Sequence, residues 1–132
     1  MHPYQDQVNR MWEIIKLRFR AQKDGYWLES ISLSYVLLEI QLRLLLSSRA
    51  GTSGEPIPPE TIDEKRYLRD LATVARNRGF IDKNTWTKID NFNEGRIRAI
   101  HGLAQGKTSY EDLREIASRA TGIMSDIQNR WL

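Results

Sequence analysis

The sequence predicts an all-α protein, an up-and-down helical bundle of four to five helices in one domain spanning residues 1–132. Three observations predict it. Apolar residues recur at spacings of three and four through nearly the whole chain, and no stretch shows the strict alternation of a half-buried strand. Breaks containing glycine, at Asp24-Gly25, Gly79 and Gly106, punctuate these stretches. The connections after the first, third and fourth stretches are only a few residues long, which makes sequential helices antiparallel neighbours.

The first helix is expected over Tyr4–Gln22, with Val8, Met11, Trp12, Ile15 and Phe19 as its apolar face. The second runs from about Leu28 to Ser48. Ile31, Tyr35, Leu38, Leu42 and Leu45 share one of its faces, and Leu33, Leu37, Ile40 and Leu44 share another. Only a narrow strip near Glu39 and Arg43 is polar. A helix apolar nearly all round must be covered on more than one side, by its own bundle or by a second subunit. "RAGTSGEPIPP" (Arg49–Pro59) cannot continue a helix and is expected to be a flexible Gly/Ser/Pro loop at about 49–59.

A third helix is expected from Thr61, where Thr61 and Glu64 form a capping-box pattern. Leu68, Leu71 and Ala75 give it an apolar face, and it ends at Gly79. The fourth runs from about Asp82 to Gln105, with Gly106 as its stop. The fifth starts near Ser109, capped either by Thr108 with Glu111 or by Ser109 with Asp112. Its face is Leu113, Ile116, Ala120, Ile123, Ile127 and Trp131. The four tryptophans, Trp12, Trp27, Trp86 and Trp131, sit on or beside apolar stripes and read as core or interface residues.

Composition excludes several classes of function. There are no cysteines and only two histidines, so thiolate chemistry is excluded and no metal cluster is expected. No cofactor motif is present either: "GTSGEP" lacks the ending and the preceding strand of a phosphate loop. Twenty Lys plus Arg against 17 Asp plus Glu give a net charge of +3, mildly basic and compatible with nucleic acid. Ile31–Leu46 is interrupted by Ser, Glu, Gln and Arg and is expected to be too short and too polar to span a bilayer. No charged-then-apolar leader opens the chain, so a cytoplasmic location is expected.

The candidate chemistry lies in "NEGRIRAIHGLAQG" (Asn93–Gly106). On a helical wheel, Trp86, Ile89, Asn93, Ile97, Ile100 and Ala104 fall within roughly 40° of one line, the expected buried stripe. Arg96 lies on one edge of it and His101 beyond the other, about 140° away. Asn93 sits on the stripe, as a hydrogen-bonding node or as part of a site. Glu94 and Arg98 form an i,i+4 pair, on the same side as His101. Arg96 and His101 do not face each other on one helix, but a second copy across a two-fold axis brings one chain's arginine toward the other's histidine. A histidine moves protons at neutral pH, and an arginine clamps a phosphate. Together they suit metal-free cleavage of RNA, in which the 2′-OH attacks the adjacent phosphate. Arg76 and Arg78 close the third helix, where they favour its dipole or touch phosphates along an RNA path. His2 reads as part of a frayed terminus. Glu39 is solvated, or orients a motif side chain across the bundle.

A helix carrying Arg-x4-His, followed by Gly, a short loop and a last amphipathic helix, resembles the HEPN superfamily. The motif reads "RIRAIH" from Arg96 to His101, then Gly102, preceded by "LATVARNRGFIDKNTWTKIDNFNEGR". The resemblance covers most of the chain in helix order and is sharpest from about Leu68 to Leu103. It implies a four- to five-helix bundle that dimerises so that two motif helices build a composite cleft. It implies a metal-independent endoribonuclease acting in toxin–antitoxin, phage-defence or RNA-processing systems. It also implies Arg96 and His101 as the catalytic pair. RNA, a second copy docked through the motif helix and the second helix, and an antitoxin protein are the expected partners. One position departs: the family often has Asn, Asp or His after the motif arginine, and here Ile97 stands there. That departure supports the alternative of a catalytically inactive module of the same fold that binds a protein, nucleotide or RNA.

Overall fold

The computed structural model describes residues 5–48 and 67–129. Five α-helices fill them, with no strand among the described residues: α1 (Gln5–Lys23), α2 (Trp27–Ser48), α3 (Leu68–Asn77), α4 (Lys83–Ala104) and α5 (Tyr110–Asn129). The all-α bundle therefore stands. The loop at 49–59, the helix start at Thr61 with its Glu64 box, His2 and Trp131 lie outside the described residues.

Local chemistry sets the ends. Gly25, Gly79 and Gly106 take φ of +78°, +76° and +71°, a region that costs a residue with a Cβ but not glycine. Asp82 caps α4 by accepting from Thr85 N–H at 2.8 Å. Of the two caps proposed for α5, the structure uses the second. Ser109 N–H donates to Asp112 Oδ2 at 2.9 Å, and Asp112 N–H donates to Ser109 Oγ at 3.1 Å. Hydrogen bonding from the Ser109 backbone N–H first, and from the Ser109 side chain, holds the Asp112 carboxyl below its ordinary range. Thr108 is occupied elsewhere: its hydroxyl donates to Ala99 O at 2.8 Å, tying the α4–α5 turn to α4. A Cβ on Gly102 would overlap that hydroxyl, so the glycine after His101 has a packing reason.

α2 is the central element and packs against α1, α3 and α5. Ile31, Leu38, Leu42 and Leu45 of one face and Leu37 and Leu44 of the other are buried, as a helix apolar on two sides requires. Its extent corrects one expectation. Trp27–Ser47 is 21 residues long and apolar enough, by length and composition, to cross a membrane. Most of it is covered inside the bundle, which accounts for the apolarity. Arg18 of α1 joins three helices: Nε donates to Ser34 Oγ at 2.7 Å, and Nη2 to Thr121 Oγ1 at 2.7 Å and Ala117 O at 3.3 Å. These neutral acceptors offset part of the cost of burying its charge, and burial lowers its pKa.

Two expected faces are corrected, that of α1 only in part, since Met11 is buried and Val8 and Ile15 are half-buried against the core as expected. On α1, Trp12 is 54% and Phe19 68% exposed, while Met11, Arg18 and Ala21 are buried. The face carrying Met11 and Ala21 meets α2, and the Trp12 and Phe19 rings beside it are left in solvent. On α4, Ile97 is 41% and Ile100 42% exposed, and the buried residues are Thr85, Ile89, Phe92 and Ala99. The inward face is thus rotated by roughly 80° from the expected stripe. The reason is the choice of partners. α4 packs against α3 and α5, and the side that meets them carries Thr85, Ile89, Phe92 and Ala99. These two partners cover only one side of α4, so two isoleucines remain outside.

Candidate functional site

Rotation of α4 turns Arg96 inward. Its guanidinium lies over the Tyr35 ring of α2, 4.1 Å from the centroid, a stacking contact that suits a planar cation. Nη2 donates to Asn93 Oδ1 at 3.1 Å. Nε is buried without a hydrogen-bond partner, a costly state for a charged donor. Asn93 is half-buried and serves as the node that holds the arginine.

Tyr35 and Glu39, one turn apart on α2, complete the cluster. The Tyr35 hydroxyl is hydrogen-bonded to the Glu39 carboxylate and accepts from Leu68 N–H at 3.5 Å, so α2, α3 and α4 meet here. Burial pushes both the Tyr35 hydroxyl and the Glu39 carboxyl above their ordinary values. The Tyr35 bond and the positive charges of Arg43 and Arg96 pull Glu39 back in part. From the sequence, Tyr35 is expected on an apolar face of α2, and Glu39 either solvated or orienting a motif side chain. The i,i+4 spacing of Tyr35 and Glu39 beside the polar strip was the available signal.

A pH dependence follows. Glu39 binds its proton more readily in the folded chain than at its ordinary pKa of 4.5. Stability therefore falls as pH rises from about 4.5 through the raised value. Glu39→Gln removes this term. The variant should be more stable than the parent at neutral pH, and the gain should shrink as pH falls toward 4.5. Chemical denaturation at both pH values measures it; a gain that grows on acidification would contradict the assignment.

His101 lies on the opposite side of α4 and is exposed. The structure does not bring it together with Arg96 within one chain. Glu94 and Arg98 form the expected pair at 3.7 Å, with side chains 54% and 80% exposed, a surface contact worth roughly 0.2–0.5 kcal/mol. Arg76 stacks over the Trp86 ring, 5.2 Å from its centroid, and Trp86 Nε1–H donates to Thr73 Oγ1 at 3.1 Å. Arg78, half-buried, ends the same helix. Trp86 precedes Arg96 by about 15 Å and His101 by about 22 Å along α4, so the Arg76 stack is removed from both along the axis.

Between Arg96 and His101 on the wheel lie Ile97 and Ile100, the two exposed isoleucines. Separately, a groove of about 730 Å³ runs between α4 and α5, with Phe92, Ile116 and Ile123 in its floor and Lys88, Arg98 and Arg119 on its rim. Arg96 and His101 do not line it. Among the described residues no group of three or more His, Asp or Glu converges to hold a metal ion. Comparison of the chain with protein-family models, with curated proteins and with solved structures finds no match.

Proposed function

We propose that this chain is a HEPN-type, metal-independent endoribonuclease whose centre is completed by a second copy. The observation that supports it most is the exposed strip of Ile97 and Ile100 lying between Arg96 and His101. Two such strips packed about a two-fold axis bury apolar surface. They also place each chain's His101 flank beside the other's Arg96 flank. The 2′-OH of the RNA attacks the adjacent phosphorus. His101 takes the hydroxyl proton or protonates the departing 5′ oxygen, and Arg96 steadies the charge on the phosphate. The products are a 2′,3′-cyclic phosphate and a 5′-hydroxyl. Tyr35, Asn93 and Glu39 position Arg96. On the HEPN resemblance the chain belongs to a toxin–antitoxin, phage-defence or RNA-processing system.

The experiment is cleavage of single-stranded RNA by the purified chain in excess chelator, repeated with Ile100→Asp. Expected are cleavage by the parent, and loss of both self-association and cleavage in the variant. Cleavage by an Ile100→Asp chain that sediments as a monomer would sink the composite centre. A second reading, a non-catalytic module of the same fold, is favoured by two features. Arg96 is already bonded to Asn93 and shadowed by Glu39, and Ile97 stands where the resemblance expects a polar residue. It predicts no turnover on any RNA while the chain still self-associates.

A further inference from the structure

α1 carries a surface that the proposed centre does not use. Val8, Trp12, Ile15 and Phe19 follow one another at spacings of four, three and four, which puts them on one stripe. Val8 and Ile15 are half-buried against the core, while the Trp12 and Phe19 rings stand out, 54% and 68% exposed. They are seven residues apart, about 10 Å along the helix. Lys16, Arg20 and Lys23 are exposed along one edge of the stripe. A notch beside Phe19 is lined by these three cations together with Ile15 and Asp24. None of the three has an ion pair within the described residues.

We infer that this face of α1 binds single-stranded nucleic acid, with bases stacked on Trp12 and Phe19 and phosphates on Lys16, Arg20 and Lys23. Two protruding rings beside a row of unpaired cations match what such strands require: flat platforms for bases and positive charge tracking the backbone. Charge argues against the other occupants. A second copy laid antiparallel on the stripe would bring Lys16 and Lys23 next to Asn9 or to like charges, because Asp6 and Glu13 lie roughly 130–150° from the centre of the stripe. A lipid surface takes up a broad apolar face, and here Val8 and Ile15 are already packed on the core. α1 packs on α2, whereas α4 packs on α3 and α5. The surface is therefore distinct from the Arg96–His101 centre and would hold the RNA at a distance from the cut. RNA as the natural strand rests on the proposed function; the platform itself rests on α1.

The test is the affinity of an oligoadenylate of about 12 nucleotides, read by fluorescence anisotropy in the non-cleaving His101→Ala chain. Trp12→Ala and Phe19→Ala should each weaken binding by about five- to a hundredfold. Replacing Lys16, Arg20 and Lys23 together by Gln should make the slope of log affinity against log salt shallower by about 2. Unchanged affinity in the aromatic variants would overturn the inference. So would a loss of self-association, or of binding to anionic vesicles, in place of the loss of RNA binding. Aromatic variants that lose RNA affinity in a chain that never cleaves leave this inference standing and sink the nuclease. Cleavage abolished by His101→Ala with RNA affinity untouched by Trp12→Ala gives the reverse.

Discussion

Mixed in equal amounts, Arg96→Ala and His101→Ala chains should regain about a quarter of the parent's RNA cleavage, although each alone is expected to be slower by roughly 10²–10⁴-fold. Geometry makes the prediction specific. Within one chain Arg96 turns toward Tyr35 and His101 toward solvent on the far side of α4, so no single chain can present both to one phosphate. If each centre takes Arg96 from one copy and His101 from the other, a mixed dimer keeps one intact centre and loses the other. Random pairing makes half the dimers mixed, which gives the quarter. A mixture as inactive as its components, from variants that fold and associate, would reject the shared centre. Full activity in either single variant would remove that residue from the chemistry.

Phe92→Ala should destabilise the fold by about 3–5 kcal/mol, a large share of the stability of a domain this size. Phe92 is 1% exposed and sits in the floor of the α4–α5 groove with Gly95, Ala99, Ile116 and Ile123 around it. The glycine and alanine cannot move in to fill the space, so the lost ring leaves a cavity in addition to the lost transfer energy. The expected readout is a lower denaturation midpoint with an unchanged slope, and a melting temperature lower by on the order of 10 °C. A loss below about 1 kcal/mol would show that α4 does not depend on this contact.

Much of the fold was legible in the chain because its signals are local. Asp24-Gly25, Gly79 and Gly106 end their helices through conformations that glycine adopts cheaply, and all three take positive φ. Apolarity on two sides of α2 required cover by its own bundle or by a second subunit, and α2 contacts three helices of its own bundle. At the candidate site the record is mixed. Asn93 was legible as a hydrogen-bonding node because an amide near a buried surface needs a partner. The inward turn of Arg96 was not, because a wheel counts apolar residues and ranks an arginine as surface. It cannot register that a tyrosine on another helix offers the cation a ring.

The helical class, the glycine stops and the two apolar sides of α2 were readable in the chain alone, since capping, glycine geometry and periodicity act within a few residues; whether α2 is covered by its own bundle or by a second subunit was not. Only the tertiary structure decided which face of α1 and α4 points inward. That choice depends on which neighbours each helix meets, and those come from elsewhere in the chain. α3 and α5 cover the Thr85, Ile89, Phe92 and Ala99 side of α4, the Met11–Ala21 face of α1 meets α2, and Ile97, Ile100, Trp12 and Phe19 are left outside. The arrangement of neighbouring helices outweighed the count of apolar side chains, and it left at the surface Ile97, Ile100, Trp12 and Phe19, on which both proposals draw.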